Sequence, residues 1–325
     1  MQNILFRADS SSTIGLGHIM RDLTLASQIQ KALPSVKIYF ASRELNGNIN
    51  QTIRDAGFIH LHIIENTQEE LETLLEHYAI DLLIIDHYEI TLKQEQSLRK
   101  LCKLLVFDDT FAPHSADFVL NHSFIAKEKD YDYLKDTKVL AGEEYTLLHS
   151  SFFQQITTLK SPTRDLPHSF LITLGGSDPL ALSWKIKKYL LTHYKGVQVH
   201  IVTSSSNKQL SYLQHVDKEL ILNEKNMAEL MQKYECIITS ASSSLLESFA
   251  LKKPFIAVKC ASNQESTIEV LKTFGLHNVL EEFRPATLKR ALNCVQYQSQ
   301  KIRKVLKRYN FREDGVVKEI LSVTK

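Results

Sequence analysis

Short runs of apolar, β-branched residues alternate along the first half of the chain with longer stretches in which apolar positions follow a helical period. This alternation is typical of parallel βα units, in which a buried strand is followed by an amphipathic helix. The predicted strands are Ile4–Ala8, Lys37–Ala41, Leu61–Ile64, Leu82–Asp86, Leu104–Asp108 and Phe118–Asn121. The clearest helical patterns between them are His18–Lys31, Gln68–Tyr78 and Leu92–Lys100. Because residues 82–85 are all apolar, their strand is expected to be covered by helices on both faces.

The alternation of strand and helix patterns is interrupted at residues 151–167, where Ser161-Pro162 and Leu166-Pro167 predict a linker. Further strands are predicted at Phe170–Leu174, Val197–Val202, Glu235–Thr239 and Phe255–Val258, and the pattern is helical from Ala286 to the end with one break near Asp314. We therefore expect an α/β protein with two Rossmann-like domains, residues 1–150 and 168–305, and a helical segment at 306–325. Two such sheets facing each other would hold a ligand in the cleft between them, beyond the carboxyl ends of their strands.

Composition narrows the class of protein. The 325 residues suffice for two domains, and a net charge of +2 gives no field that favours nucleic acid or a membrane as a partner. The basic residues from Lys301 to Arg308 are expected to form a solvated helix face. No signal peptide is recognisable, no apolar run approaches the ~20 residues of a membrane span, and the four cysteines form no C-x-x-C pair. A cytoplasmic monomer is expected.

The loop after the first predicted strand carries the most informative residues. Gly15 and Gly17 permit tight turns and the close approach of a ligand, and the start of the next helix favours anions. Met20 occupies the third glycine position of a dinucleotide fingerprint, and the Gly-Lys-Ser/Thr of a P-loop is absent. His18 lies at the helix start, where the helix dipole favours the neutral imidazole that a general base needs. The alternative is a histidine that only caps the helix or bonds to the loop.

Loops in the second half follow predicted strands in the same manner. Their small and amide residues are Gly175, Gly176, Ser177, Ser242, Ser243, Asn263 and Gln264. The glycines and serines would present backbone donors to a diphosphate, although ordinary turns and helix caps use the same residue types. Glu247, one turn into the following helix, would chelate two ribose hydroxyls or be only a favourable first-turn acid.

Two predicted strands of the first half end in acidic residues, Asp86 and Asp108-Asp109, at the same sheet edge as the His18 loop. Neighbouring side chains at a strand end point in different directions, so a carboxylate pair that binds a metal is not expected. No cofactor is expected either.

Five motifs occur in order between residues 4 and 266, namely F-R-x-D-S-S-x-x-I-G-x-G-H-I-x-R-D, I-I-D-H-Y, L-G-G-S-D, S-A-S-S-x-x-x-E and N-Q-E-S. Together they resemble the nucleotide-sugar hydrolases of pseudaminic acid biosynthesis. Those enzymes remove UDP from UDP-2,4-diacetamido-2,4,6-trideoxy-β-L-altropyranose and release the free sugar. The resemblance implies the two-domain GT-B fold of the peptidoglycan GlcNAc transferase class, with the last helix returning toward the first domain.

The same resemblance assigns roles to residues. It implies that Phe6 to Asp22 form a catalytic loop in which His18 activates water. The implied substrate contacts are Asp9, Gly15, Gly17 and Arg21 in this loop, Tyr88, Asn263 and Gln264 near the sugar or diphosphate, Gly175, Gly176, Ser177, Ser242 and Ser243 on the diphosphate, Glu247 on the ribose, and Met227 beside the uracil. One departure is His149, where the family pattern G-x-x-Y-x-L-L-R has an arginine with a bidentate guanidinium.

The chemistry of the candidate residues agrees with hydrolysis. UDP is a good leaving group, so one base and donors to the diphosphate suffice, without the two carboxylates of a glycosidase. Attack by water at C1 opposite UDP would invert the anomeric centre. The main alternative is a GT-B glycosyltransferase, in which an acceptor hydroxyl replaces water. A binding module without turnover fits less well because His18 is intact, and a nicotinamide oxidoreductase because Met20 breaks the fingerprint.

Overall fold

The computed structural model describes residues 1–155 and 165–322, which divide into two compact units. Residues 1–149 and the chain from residue 311 onward form the first unit, and residues 150–310 form the second. Within the predicted linker, Ser161-Pro162 lies outside the described residues. Ser150–Phe152, at the start of the second unit, form a short 3₁₀ helix.

A seven-stranded parallel sheet forms the centre of the first unit. Its strands are β1 (Asn3–Ala8), β2 (Lys37–Ser42), β3 (Ile59–His62), β4 (Leu82–Asp86), β5 (Lys103–Phe107), β6 (Phe118–Asn121) and β7 (Lys138–Ala141). They lie in the order β3-β2-β1-β4-β5-β6-β7. The chain winds outward from β1 in one direction and from β4 in the other. The topological switch point therefore lies between β1 and β4, where doubly wound sheets open a crevice at the carboxyl ends of the strands.

Helices cover both faces of this sheet. They are α1 (Gly17–Ala32), α2 (Asn50–Asp55), α3 (Gln68–His77) and α4 (Leu92–Leu98). Along β4, Leu82 and Ile84 belong to one apolar core, whereas Leu83 and Ile85 belong to another. Because alternate side chains of a strand point to opposite faces, the two cores lie on the two sides of the sheet. The prediction that this strand is covered on both faces is confirmed.

The second unit repeats the same winding on a six-stranded parallel sheet of order β10-β9-β8-β11-β12-β13. Its strands are β8 (Ser169–Thr173), β9 (Gln198–Thr203), β10 (Ile221–Leu222), β11 (Cys236–Ser240), β12 (Phe255–Val258) and β13 (Val279–Leu280). Its helices are α5 (Ser183–His193), α6 (Leu210–Val216), α7 (Met227–Gln232), α8 (Ser243–Ala250), α9 (Glu265–Thr273), α10 (Pro285–Tyr297) and α11 (Ser299–Leu306). Strand β8 lies between β9 and β11 as β1 lies between β2 and β4, so both predicted Rossmann-like sheets are present.

A last helix, α12 (Gly315–Ser322), completes the first unit. Its Val316, Val317 and Ile320 are buried in the same apolar core as alternate residues of β1 and β4. Gly315 lies against the backbone carbonyl of Glu144 so closely that a Cβ atom would collide with it. The chain thus passes into the second unit and returns to finish the core of the first.

The C-terminal segment has a longer interruption between its helices than the sequence predicted. One interruption near Asp314 was expected, whereas the whole stretch 307–314 is non-helical. Nζ of Lys252 donates to the carbonyl of Leu306 at 2.9 Å and also to that of Tyr309. These bonds satisfy carbonyls that a continuing helix would otherwise have used.

The predicted strands all exist, but several boundaries shift. Strand β3 begins two residues earlier than predicted, because its pairing with β2 places Ile59 opposite Tyr39 and His62 opposite Ser42. The short elements β7, β10, β13 and α2 were not predicted. All four cysteines are free. Among the described residues, no helix is long and apolar enough to cross a membrane.

Candidate active site

The loop between β1 and α1 turns sharply before His18. The backbone of Ser11 and that of Gly15 exchange two hydrogen bonds, of 2.9 and 3.3 Å, and Gly15 has φ +89°. A residue with a Cβ atom rarely adopts this conformation, so the turn requires glycine there. Gly17 is different, because it is the first residue of α1. The turn places His18 in the first turn of α1, next to the carboxyl end of β4.

His18 is held by Asp86, the last residue of β4. Nδ1 of His18 lies 2.7 Å from Oδ1 of Asp86, and the two side chains are 12% and 2% exposed. Burial alone would raise the pKa of Asp86, but Arg21 and then His18 hold it well below its ordinary value. An ionised Asp86 accepts a hydrogen bond from the Nδ1–H group of His18, which leaves the lone pair on Nε2 of His18 available. This is the tautomer in which an imidazole serves as a base.

Arg21 binds the same carboxylate from the other side. Its Nε donates to Oδ2 of Asp86 at 2.5 Å, and its Nη2 donates to Oδ1. Nη1 lies 3.1 Å from Nε2 of His122 and 3.7 Å from Asp109, and the guanidinium lies 5.0 Å from the ring centroid of Phe107. Arg21 therefore has protein partners for its donors, and its expected contact with substrate stays a prediction.

Tyr88 lies beside His18 and is partly exposed to solvent. The two rings meet edge to face with centroids 5.3 Å apart, and the phenol donates to Asp109 at 2.9 Å. Although 62% of Tyr88 is exposed, partial burial and then Asp109 raise the pKa of the phenol to about 12. Tyr88 is therefore a neutral hydrogen-bonding group near neutral pH rather than a base.

Asp9 is fixed by a separate set of cations. Its carboxylate accepts two bonds from Arg7 at 2.8 Å, one from Nε of Arg43 at 2.7 Å and one from the backbone N–H of Arg43 at 2.8 Å, and it lies 3.0 Å from Nε2 of His87. Burial opposes ionisation, but His87, Arg7 and Arg43 together hold the pKa of Asp9 well below its ordinary value. Asp9 is thus a lining residue of the site that stays ionised near neutral pH.

These residues meet in one pocket. It is lined by Asp9, Ile14, His18, Asp86, His87, Tyr88 and Glu89. Two segments that are distant in sequence, residues 9–18 and 86–89, therefore converge at the carboxyl ends of β1 and β4. The sequence had pointed to Asp86 as an acid at this edge but had not paired it with His18. The signal that finds the pair is the adjacency of β1 and β4, because it brings the start of α1 to the end of β4.

The neighbouring acids Asp108 and Asp109 point in different directions, as predicted. Asp108 accepts from the backbone N–H of Thr110 at 3.0 Å and from the hydroxyl of Tyr131 at 2.7 Å, and so fixes its own loop. Asp109 accepts from Tyr88 instead.

In the second unit, the loop after β8 is held through its backbone. Gly175 has φ +78°, and the carbonyl of Gly176 accepts from the hydroxyls of Thr203 at 3.0 Å and Ser204 at 3.1 Å. Ser177 is exposed. Asp178 accepts from the backbone N–H groups of residues 182 and 183, which delays the start of α5 to Ser183.

The loop after β11 leads directly into α8. Ser242 precedes the helix and Ser243 is its first residue, and both are exposed. Glu247 lies one turn further, where burial raises its pKa to about 8. Among the described residues, none forms a hydrogen bond or ion pair with its carboxyl group. A partly buried acid without a cationic partner is unusual, and it is available for hydroxyl groups of a ligand.

The remaining candidates lie after β10 and β12. Met227 is the first residue of α7 and is partly buried. Asn263 is exposed, whereas Gln264 is buried and its Oε1 accepts from the backbone N–H of Cys260 at 2.8 Å. Since the sheet is parallel, all these loops leave its carboxyl edge.

Solved structures identify the fold. MurG of Acinetobacter baumannii matches with a TM-score of 0.59 and 12% identity, covering 95% of this chain and 99% of that chain. The spinosyn rhamnosyltransferase SpnG matches with a TM-score of 0.64 and 11% identity, covering 98% and 96%. These neighbours are glycosyltransferases of the GT-B class, and the predicted GT-B-type α/β fold is confirmed.

Sequence relatives define the family. No family model matches the chain. Over 281 residues, 84% of this chain and 97% of the relative, the sequence is 36% identical to the UDP-2,4-diacetamido-2,4,6-trideoxy-β-L-altropyranose hydrolase of Campylobacter jejuni. The chain belongs to this family of nucleotide-sugar hydrolases, as the motifs predicted. An uncharacterized protein of Methanocaldococcus jannaschii is 28% identical over 77% of this chain and 54% of that protein. The spore coat polysaccharide biosynthesis protein SpsG of Bacillus subtilis is 22% identical over 82% of this chain and 79% of that protein.

Proposed function

We propose that this enzyme hydrolyses UDP-2,4-diacetamido-2,4,6-trideoxy-β-L-altropyranose to UDP and the free sugar, as a step of pseudaminic acid biosynthesis. The observation that carries the proposal is the His18–Asp86 pair, with a 2.7 Å contact at Nδ1, in a pocket at the topological switch point. The substrate is inferred from the Campylobacter jejuni relative, whose name states it.

In the proposed reaction, Nε2 of His18 takes a proton from water while the water oxygen forms a bond to C1 of the sugar. The bond between C1 and the diphosphate oxygen breaks, and its electron pair leaves with UDP. Attack from the side opposite UDP inverts the anomeric centre. Asp86 keeps its charge throughout and stabilises the imidazolium that forms, in the manner of the carboxylate in a hydrolase triad.

The second unit is proposed to bind UDP. Backbone N–H groups of Gly175, Gly176 and Ser177, with the start of α8 at Ser242 and Ser243, would hold the diphosphate. Glu247 would accept from the ribose hydroxyls, and Met227 would border the uracil. Asn263 and Gln264 follow β12 at the same sheet edge and would contact the sugar or diphosphate. In the first unit, Asp9, Gly15, Gly17, Arg21 and Tyr88 would shape the sugar site around His18.

The proposal needs no metal ion. Each carboxylate that lines the pocket already has a partner, because Asp86 binds Arg21, Asp9 binds Arg7 and Arg43, and Glu89 binds Arg43. Activity is therefore expected to survive excess EDTA. We further infer that the enzyme acts as a cytoplasmic monomer whose partner is its small-molecule substrate.

The test is incubation of the purified protein with the UDP-sugar in buffer alone, followed by NMR of UDP and of the sugar. Hydrolysis predicts UDP release without an acceptor and, within the first turnovers, a product of inverted anomeric configuration. UDP-N-acetylglucosamine serves as the control substrate and is expected to be cleaved poorly. Release of UDP only after a second sugar or a lipid is added would support a glycosyltransferase instead, and retention at C1 would exclude the single-step mechanism.

A further inference from the structure

Asp22 is a buried acid that the proposed reaction does not use directly. It follows Arg21 in α1 and lies four residues after His18, on the same helix face. The side chain is 0% exposed. Among the residues that the structure describes, no N–H or O–H group donates to either of its oxygens.

An ionised Asp22 would be a buried charge without a hydrogen-bond donor. Such a charge costs several kcal/mol, so a buried acid in this position takes up a proton instead. Burial first and the negative charge of Asp86 second raise the pKa of Asp22 well above its ordinary value, and Arg21 offsets this only in part. Arg21 itself is engaged by Asp86 through two of its nitrogens.

Asp86 is the neighbouring group that can use this proton. It lies within hydrogen-bonding reach of Asp22, and that contact raises the pKa of Asp22 further. Two carboxyl groups meet without repulsion when they share one proton. Because Asp86 is the acid bound by both Arg21 and His18, it is the one that stays ionised.

We propose that Asp22 is a neutral carboxylic acid that donates a hydrogen bond to Asp86 and so positions the Asp86–His18 pair. Asp86 then accepts from three directions, namely from His18, from Arg21 and from Asp22. These three donors leave its carboxylate little freedom to rotate. Asp22 is a positioning residue, because it acts on the substrate only through Asp86 and His18.

The neutral state of Asp22 also sets the charge that His18 experiences. The charged groups around the pair are Asp86 on β4, Arg21 on α1, Asp109, which reaches Arg21 at 3.7 Å, and the pocket acids Asp9 and Glu89. His122 touches Arg21 as a neutral ring, because burial lowers its pKa to about 3. A second carboxylate here would favour the imidazolium form of His18 and so occupy the proposed base with a proton. The hydrogen bond from Asp22 also draws charge away from the oxygens of Asp86. This part of the inference rests on the proposed role of His18 as the base.

The first experiment tests whether the carboxyl group of Asp22 carries a proton. Infrared difference spectra between the wild-type protein and Asp22→Asn at neutral pH are expected to show one carbonyl band of a protonated carboxylic acid that the variant loses, while the band of protonated Glu247 is common to both proteins and cancels. Asp217→Asn is the matched control, because Asp217 is also buried but binds Nζ of Lys187 at 2.8 Å. Its replacement is expected to leave that band unchanged. Absence of the band from the Asp22 difference spectrum would overturn the neutral acid.

The second experiment measures positioning. Asp22→Ala removes the donor and is expected to lower kcat by ~10–100-fold with unchanged affinity for UDP, as small misplacements in an active site do. Asparagine keeps an N–H donor without a charge, so Asp22→Asn is expected to retain at least ~10-fold more activity than the alanine variant. The acid limb of the pH–rate profile is expected to move to higher pH in Asp22→Ala only, because Asp86 then attracts the proton of His18 more strongly. Should Asp22→Ala not fold, Asp22→Leu takes its place, because leucine fills a similar volume and has no hydrogen-bond donor.

Equal activities and equal pH profiles of the asparagine and alanine variants would overturn the positioning role. The infrared band does not depend on catalysis, so it separates this inference from the proposed function. A band at Asp22 together with full activity of His18→Asn would mean that the base had been misassigned, not the proton.

Discussion

The loop after β1 and the loops after β8 and β11 occupy equivalent places in two similarly wound sheets, yet they are stabilised in different ways. Around the first loop, buried ion pairs hold the side chains, with Asp86 between His18 and Arg21, and Asp9 between Arg7 and Arg43. Around the second set, neutral groups predominate. Hydroxyls of Thr203 and Ser204 bind the carbonyl of Gly176, and the hydroxyls of Ser240 and Ser242 lie 2.7 Å apart.

The difference corresponds to two tasks. A group that moves a proton needs its charge and tautomer fixed in advance, and neighbouring charges do this best where water is excluded. A diphosphate brings its own charge, and backbone N–H groups can bind it without a cation of the protein. The fold thus repeats while the chemistry of its loops divides between the two proposed roles. The following four predictions test that division, in order of decreasing effect.

Replacing the proposed base is expected to have the largest effect. His18→Asn removes the group that accepts the proton, so kcat is expected to fall ~10²–10⁴-fold, the usual contribution of a positioned base. Affinity for UDP, measured by calorimetry, is expected to stay the same, because the proposed diphosphate loops lie in the other unit. His193→Asn on the surface of α5 is the control. Near-normal kcat in a folded His18→Asn protein would show that another group activates the water.

The next largest effect is expected at Glu247. Removing an acceptor for the ribose hydroxyls with Glu247→Ala is expected to weaken UDP binding by ~1.5–3 kcal/mol, or about 10–150-fold. Glu247→Gln keeps one acceptor oxygen and is expected to lie between the alanine variant and the wild type. Calorimetry with UDP and with 2′-deoxy-UDP measures both. If the deoxy ligand is discriminated equally by all three proteins, Glu247 is only a helix acid.

A smaller effect on UDP affinity is expected from a substitution in the loop after β8, which contains Gly175 and Gly176. The Cβ atom of Gly176→Ala would lie 2.6 Å from Oγ of Ser204. Relieving this contact displaces the Ser204 hydroxyl, which donates a hydrogen bond to the carbonyl of residue 176. A lost neutral hydrogen bond costs about 1 kcal/mol, so UDP affinity is expected to fall about fivefold. Ser204→Ala is expected to have a similar effect, and the double variant is expected to be no weaker than either single one. Additive losses would show that the two residues act separately.

The effect on catalysis is smallest in the last prediction, which concerns the pH dependence of stability. Because the pKa of Glu247 is raised to about 8 in the folded protein, the folded state holds a proton that the unfolded state releases above about pH 4.5. The free energy of unfolding is therefore expected to fall as pH rises between these values, by less than ~1.4 kcal/mol per pH unit. Denaturant unfolding of wild type and Glu247→Gln at several pH values isolates this contribution. Parallel curves for the two proteins would contradict the raised pKa.

Local sequence patterns sufficed for every strand except the short β7, β10 and β13, and for the site edge. The all-apolar run of β4 and the glycine turn before His18 carry their own signals, and parallel strands bring their ends together. What the sequence did not provide were contacts set by strand order. Asp86 meets His18 only because β4 neighbours β1, although 68 residues separate the two side chains. Helical spacing places Asp22 on the face of His18, but it does not reveal that this face is buried without a donor.

The position of helix α12 affects how the protein folds during its synthesis on the ribosome. The apolar core on one side of the first sheet contains Val316, Val317 and Ile320, although every strand of that sheet lies before residue 142. At the usual rates of synthesis, about 10–30 s pass between the emergence of β7 and that of α12. During this interval the first sheet is complete but one of its faces exposes apolar residues that α12 later covers. The second unit, which is contiguous in sequence, can close its core first. The N-terminal unit is therefore expected to finish folding last, opposite to the order in which the two units are translated.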